Sequence, residues 1–128
     1  MVHLRLENMD KKFTCNMKFI EIKNRLSKYS VGIAGAGGLG SNCAAALVRC
    51  GIGHLIIADF DRIDASNLNR QFFFTDQIGQ LKVEALKTNL LRINPDLKID
   101  ILAKKLQAQD LIREFGKVDV LVEAFDKA

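Results

Sequence analysis

From residue 31 onward, short apolar runs alternate with segments whose apolar residues recur every three or four positions. The runs "VGIAG" (31–35), "HLIIAD" (54–59), "LKIDILA" (97–103) and "VDVLVEAF" (118–125) have the length and β-branched content of strands. The third alternates apolar with polar and predicts a half-buried strand. The fourth is apolar enough to predict burial on both faces. Between the runs, residues 41–50 predict a helix stopped by Gly51. A second helix carries Val83, Leu86, Leu90 and Ile93 on one side and ends before Pro95. "DLIREFG" (110–116) predicts a short helix closed by its glycine.

Strands separated by helices predict the α/β class: a doubly wound, Rossmann-like parallel sheet with flanking helices and right-handed crossovers. The usual strand order is 3-2-1-4, with the ligand crevice at the switch point after the first strand. The fourth strand has an interior strand's composition, yet only Lys127 and Ala128 follow Asp126. The expectation is therefore an N-terminal fragment of the full domain, incomplete at its C-terminus. Residues 1–30 read differently. Val2, Leu4 and Leu6 alternate, as do Phe13, Cys15 and Met17, with "ENMDKK" between them, predicting a hairpin followed by a short helix over 19–26. The division is thus 1–30, hairpin and helix, and 31–128, a Rossmann-like domain incomplete at its C-terminus.

Composition narrows the class without choosing a function. The 128 residues are 48% hydrophobic and 27% charged, enough for one core, and the net charge of +4 is spread along the chain. No basic block points to nucleic acid, and no apolar run approaches a membrane span. The N-terminus carries no cleavable signal pattern, so the expected location is cytoplasmic. Cys15, Cys43 and Cys50 contain no C-x-x-C pair, so they encode no zinc site and no disulfide framework. They read as small buried apolar residues.

The chemistry begins where five glycines fall in nine residues, 32–40. "GAGGLG", Gly35, Gly37, Gly38 and Gly40 among its residues, satisfies G-x-G-x-x-G directly after a strand and at the opening of a helix. Such a turn lets backbone approach a polyphosphate and aims helix amides at it. Asp59, at the end of the second strand, is placed to accept hydrogen bonds from ribose hydroxyls. Those features alone fit either a dinucleotide or an adenine nucleotide.

The connection "DFDRIDASNLNRQFFFTDQIGQLK" (59–82) discriminates further, because it packs Asp59, Asp61, Asn67, Arg70, Gln71 and Lys82 into one loop. A turn with Ser66 as its N-cap would aim Asn67 and Arg70 to one side. An arginine fork and a lysine converging on the glycine turn suit a triphosphate under attack more than a pyrophosphate bridge. Taken singly, Arg70 and Lys82 also fit solvated helix positions, and Asp61 and Asp64 fit loop caps. Phe72, Phe73 and Phe74 read as core anchors, and His3 and His54 as structural. The joint pattern favours the ligand.

"GAGGLGS", "DFDRIDASNLNRQFFF", "GQLKVEALKTNLLRINPDL" and "VLVEAFDKA" together resemble the ubiquitin-activating-enzyme-like adenylyltransferases, the ThiF/MoeB/HesA group, and most closely its ThiF-type members of thiamine biosynthesis. The resemblance implies ATP- and Mg²⁺-dependent adenylation of the C-terminal Gly-Gly carboxylate of a small ubiquitin-fold sulfur carrier, ThiS-like, releasing pyrophosphate. It assigns the phosphates to the glycine turn, the ribose to Asp59, and phosphates and transition state to Asn67, Arg70, Gln71 and Lys82. Asp126 corresponds to the group's Mg²⁺-associated aspartate. Expected partners are that carrier and a second copy in a homodimer, with neither nucleic acid nor membrane. Two departures are visible: the R-Y-x-R-Q helix that often precedes the first strand is missing from "FIEIKNRLSKYS", and G-Q-P-K is "GQLK" here. The downstream half of such proteins, with acceptor cysteine and zinc pairs, lies outside the sequence. The alternatives are an NAD-linked oxidoreductase domain and a catalytically silent partner of the same fold.

Overall fold

A computed structural model describes residues 12–125, with side chains described from residue 18. The elements run α1 (Lys12–Leu26), β1 (Ser30–Ala34), α2 (Gly38–Cys50), β2 (His54–Ala58), α3 (Lys82–Ile93), β3 (Lys98–Leu102), α4 (Ala108–Phe115) and β4 (Val120–Glu123). Two single 3-10 turns, Ala65–Asn67 and Thr75–Gln77, punctuate the long β2–α3 connection. The four strands form one parallel sheet in the order β3-β2-β1-β4, as the alternation of strands and helices predicts.

Register places Val31, Leu55 and Ile99 in one row and Ile33, Ile57 and Ile101 in the next. That face forms the core, together with Ala44 and Val48 of α2 and Val83, Leu86 and Leu90 of α3. Each fully buried aliphatic side chain there contributes about 1.5–3 kcal/mol over remaining in water. On the opposite face Phe115 of α4 covers Gly32, where an added Cβ would sit 2.3 Å from the ring. A glycine in mid-strand is thus explained by the approach of an aromatic ring. α2 ends in a left-handed Gly51 (φ 110°), whose amide donates to the carbonyls of Leu47 and Val48. Glycine is the residue that takes this conformation without strain.

Three expectations change. Phe13, Cys15 and Met17 lie in α1 and not in a strand. Three alternating residues are too few to separate a period of 2 from one of 3.6, and Phe13, Met17 and Ile20 also fit helical spacing. The short helix expected over 19–26 is the second half of α1, while Val2, Leu4 and Leu6 lie outside the described residues, as does His3. The fourth strand is not buried on both faces: Val120 is 55% and Leu121 42% exposed, and among the described residues β4 is an edge strand paired with β1. Cys50 is exposed and Cys43 half-buried, since both fall off the core-facing stripe of α2 marked by Ala44 and Val48.

Candidate functional site

The switch point at the end of β1, where the strand order reverses between β2 on one side and β4 on the other, carries the candidate site, and its first part is the glycine turn. Gly35 has φ 109°, and a Cβ on it would lie 2.7 Å from the carbonyl oxygen of Ala124. Glycine is required there on both counts. A Cβ on Gly40 would lie 1.7 Å from the carbonyl oxygen of Gly35, so the first turn of α2 rests directly on the loop. Gly37 is the N-cap of α2 and supplies no side-chain cap, and no acid occupies the first turn. The amides opening α2 therefore face outward with the positive end of the helix dipole, a ready anion site.

Asp59 braces this turn. Its Oδ2 accepts the Ala36 amide at 2.7 Å and its Oδ1 the Asp61 amide at 2.8 Å. Each oxygen keeps a second lone pair, so acceptor capacity for hydroxyls remains. Residues 61–63 then run antiparallel to 79–82: the Lys82 amide donates to the Asp61 carbonyl (3.0 Å), the Ile63 amide to that of Gln80 (2.9 Å), and the Gly79 amide to that of Ile63 (2.8 Å). Arg62 Nη1 adds a bond to the Gly79 carbonyl at 2.9 Å. Through this ladder Lys82 is held one step from Asp59.

Lys82 is only 7% exposed, and its Nζ stands 4.0 Å from Asp61 Oδ2. It is also the first residue of α3, whose N-cap Leu81 offers no side-chain bond. A buried cation at the positive end of a helix dipole is unfavourable twice over. An anion placed beside it would offset both costs.

Arg70 is exposed but not free of the turn: a Cβ on Gly38 would lie 3.7–3.9 Å from its Cγ, Cδ and Nε. Its Nη1 donates to the Ser66 carbonyl (3.2 Å) and to Asn69 Oδ1 (3.0 Å). Those two bonds use both Nη1 protons. Nε and Nη2 have no partner among the described residues, so the bidentate edge that fits a phosphate is open beside Gly38.

The loop's capping bears out the reading of Asp64 as a loop cap and overturns that of Ser66 as the N-cap. Asp64, not Ser66, caps the turn Ala65–Asn67: its carboxylate accepts the Ser66 amide at 3.0 Å and the Ser66 hydroxyl. The hydroxyl, then the amide, holds the Asp64 carboxyl below its ordinary range. Asn67 Oδ1 completes the box by accepting the Asp64 amide at 2.8 Å, so a phosphate could be met only by its Nδ2 donor. Gln71 is 6% exposed, and its Oε1 is buried without a partner among the described residues. An acceptor cannot bond a phosphate oxygen, so any phosphate contact must come from Nε2.

Of the expected site residues, the structure brings Gly35, Gly37, Gly38, Gly40, Asp59 and Arg70 around one turn, while Lys82 lies beside Asp61, next to that turn's Asp59 brace. Asn67 and Gln71 flank Arg70 in sequence, one committed mainly to the loop and the other buried. Asp126 lies outside the described residues. Phe73 enters the core and Phe72 packs against it, whereas Phe74 is 47% exposed and so not an anchor. His54 pairs with Asp100 across β2 and β3 at 2.8 Å, a structural contact away from the turn.

Sequence reasoning missed Ser41, Asn42, Gln77 and Asn89. Ser41 is wholly buried; its hydroxyl donates to the Gly37 carbonyl (2.5 Å) and accepts the Phe72 amide (3.0 Å). Asn89 and Gln77 form a buried amide pair whose Asn89 Nδ2 also donates to the Phe72 carbonyl at 3.0 Å. The available signal was polar residues in otherwise apolar helix faces: Ser41 beside Ala44 and Ala45, Asn89 beside Leu86 and Leu90.

The chain matches the ThiF family over residues 9–128. Ubiquitin-like modifier-activating enzyme 5 of Caenorhabditis elegans is 33% identical over 121 residues, which are 86% of this chain and 29% of that protein. The chain thus spans less than a third of that relative's length. The crystal structure of E. coli MccB with ATP superposes with a TM-score of 0.76 at 29% identity, covering 84% of this chain and 32% of that one. E. coli tRNA N6-threonylcarbamoyladenosine dehydratase, TcdA, in complex with ATP gives a TM-score of 0.82 over 99% of this chain and 53% of its own. At 22% identity that second likeness is one of fold.

Proposed function

This chain belongs to the ThiF family, and from that premise we propose that it binds ATP at the glycine turn and serves the adenylation of a C-terminal carboxylate on a small ubiquitin-fold protein. The observation that carries the reading is Arg70 lying on Gly38, its Nε–Nη2 edge open beside the uncapped start of α2, with buried Lys82 reached through Asp59 and Asp61. A nicotinamide dehydrogenase has use for the turn and Asp59 but none for these two cations. ATP complexes of similar folds support the choice of nucleotide.

In the proposed reaction a carboxylate oxygen bonds to the α-phosphorus as the bond from that phosphorus to the pyrophosphate oxygen breaks. The carboxylate is already ionised at neutral pH, so no general base is needed. Nucleophile and nucleotide repel each other, and the leaving pyrophosphate gathers charge. The α2 amides, Arg70 and Lys82 are arranged to counter both effects, and Asp59 to hold the ribose and hence the in-line geometry. Mg²⁺, when bound, neutralises charge on the departing pyrophosphate. Among the described residues no three acidic, histidine or cysteine side chains cluster to hold it. Phosphate oxygens with one or two carboxylates suffice for this ion, and Asp126 is the proposed one.

The relatives found by sequence activate ubiquitin-like modifiers by name, which gives such a modifier more weight as partner than a thiamine-type, ThiS-like sulfur carrier. Exchange of labelled pyrophosphate into ATP, assayed on the protein with each type of partner, tests the proposal. Exchange that depends on a partner with a free C-terminal Gly-Gly is expected. Its absence with modifiers and sulfur carriers alike would leave the silent-partner reading in its place.

A further inference from the structure

Asn42, on the second turn of α2, is exposed and lies outside the motifs that define the site. Its Nδ2 nevertheless makes two short bonds, to the Gly38 carbonyl at 2.6 Å and to the Arg70 carbonyl at 2.7 Å. Both partners are acceptors only, so the amide nitrogen and not Oδ1 must face them, and its two protons are divided one to each. One end of this bridge is the first residue of α2, whose amide belongs to the anion site. The other is the residue whose guanidinium rests on that same Gly38.

We propose that Asn42 is a positioning residue that registers Arg70 against the amide-bearing end of α2. The inference rests on the ATP-site reading above. Arg70 needs such a tie because the connection leaving β2 is long and its side-chain bonds stay within that connection: Nη1 reaches only Ser66 and Asn69. The remaining tether from α2 is Ser41, which holds the Phe72 amide two residues further on. Ser41 therefore fixes the loop to the helix, and Asn42 fixes Arg70 within it. Without the Nδ2 bridge the guanidinium keeps its local bonds but loses its defined distance from the α2 amides, and the two halves of the phosphate cradle no longer converge.

The test is a double-mutant cycle on ATP affinity, read by titration calorimetry with thermal melting as the control for folding. Asn42→Ala removes an exposed side chain and installs a strong helix former, so its melting temperature should stay near the parent's. ATP binding should weaken about five-fold, the scale of one lost hydrogen bond. In an Arg70→Ala background the same substitution should cause no further loss, whereas in a Lys82→Ala background the two factors should multiply. An equal loss in all three backgrounds, or none in the parent, overturns the assignment while leaving the ATP site intact. A parent protein that binds no ATP removes the ATP-site reading and this inference together.

Discussion

At the scale of single residues, Gly38 separates folding from binding. A methyl group there would meet the Arg70 stem at 3.7 Å, an ordinary contact, in contrast to Gly40, where it would strike backbone at 1.7 Å. Gly38 also has no positive φ to protect, and alanine in a helix is favoured over glycine by about 0.8–1 kcal/mol. Gly38→Ala should therefore melt at or slightly above the parent temperature while binding ATP about ten-fold more weakly, because the methyl would occupy the space proposed for a phosphate oxygen. Melting curves and calorimetry on one preparation check both halves. Unchanged ATP affinity would mean that nothing approaches the backbone at this position. Asp59 shows the complementary case, a carboxylate that braces the turn through two amides and still has lone pairs to offer. Bracing the turn therefore does not preclude the proposed ribose role.

At the scale of elements, the sheet depends on its glycines as much as on its aliphatics. Gly32→Ala would drive a Cβ into the ring of Phe115, which is 4% exposed and cannot swing into solvent without uncovering the face that α4 protects. Denaturant unfolding should show a loss of about 1–3 kcal/mol, typical of overpacking, and Phe115→Leu in the same background should recover part of it. No recovery would place the strain elsewhere. The elements legible in the sequence were those with long, consistent periodicity: β1 to β3 and α3 sit within a residue or two of the apolar patterns that predict them. Where the signal was three residues long, at Phe13, Cys15 and Met17, helical and strand spacing coincide and the wrong one was read. The turn at Ala65–Asn67 was legible as a turn, and its cap only as a choice between Asp64 and Ser66, because both are good N-cap residues and differ here in which amide their oxygen can reach.

At the scale of the whole molecule, the strand order β3-β2-β1-β4 brings the ends of β1 and β2 together and places Gly35 and Asp59 on one rim. This much followed from the pattern of strands and helices. The contacts that assemble the candidate site did not, because Asn42 to Arg70 spans 28 positions and Ser41 to Phe72 spans 31. Periodicity does not encode pairings of that separation. The edge place of β4 was legible in the order 3-2-1-4, but the exposure of Val120 and Leu121 was not, since their apolar run alone does not show what packs on each face. The proposed function depends on a phosphate cradle that α2, Arg70 and Lys82 would form together. Its most direct test is calorimetric titration of the protein with MgATP and with NAD, alongside Arg70→Ala and Lys82→Ala. The cradle requires MgATP to bind in preference to NAD and each substitution to weaken it about ten-fold or more. Preferential NAD binding, or MgATP affinity indifferent to both cations, would contradict it.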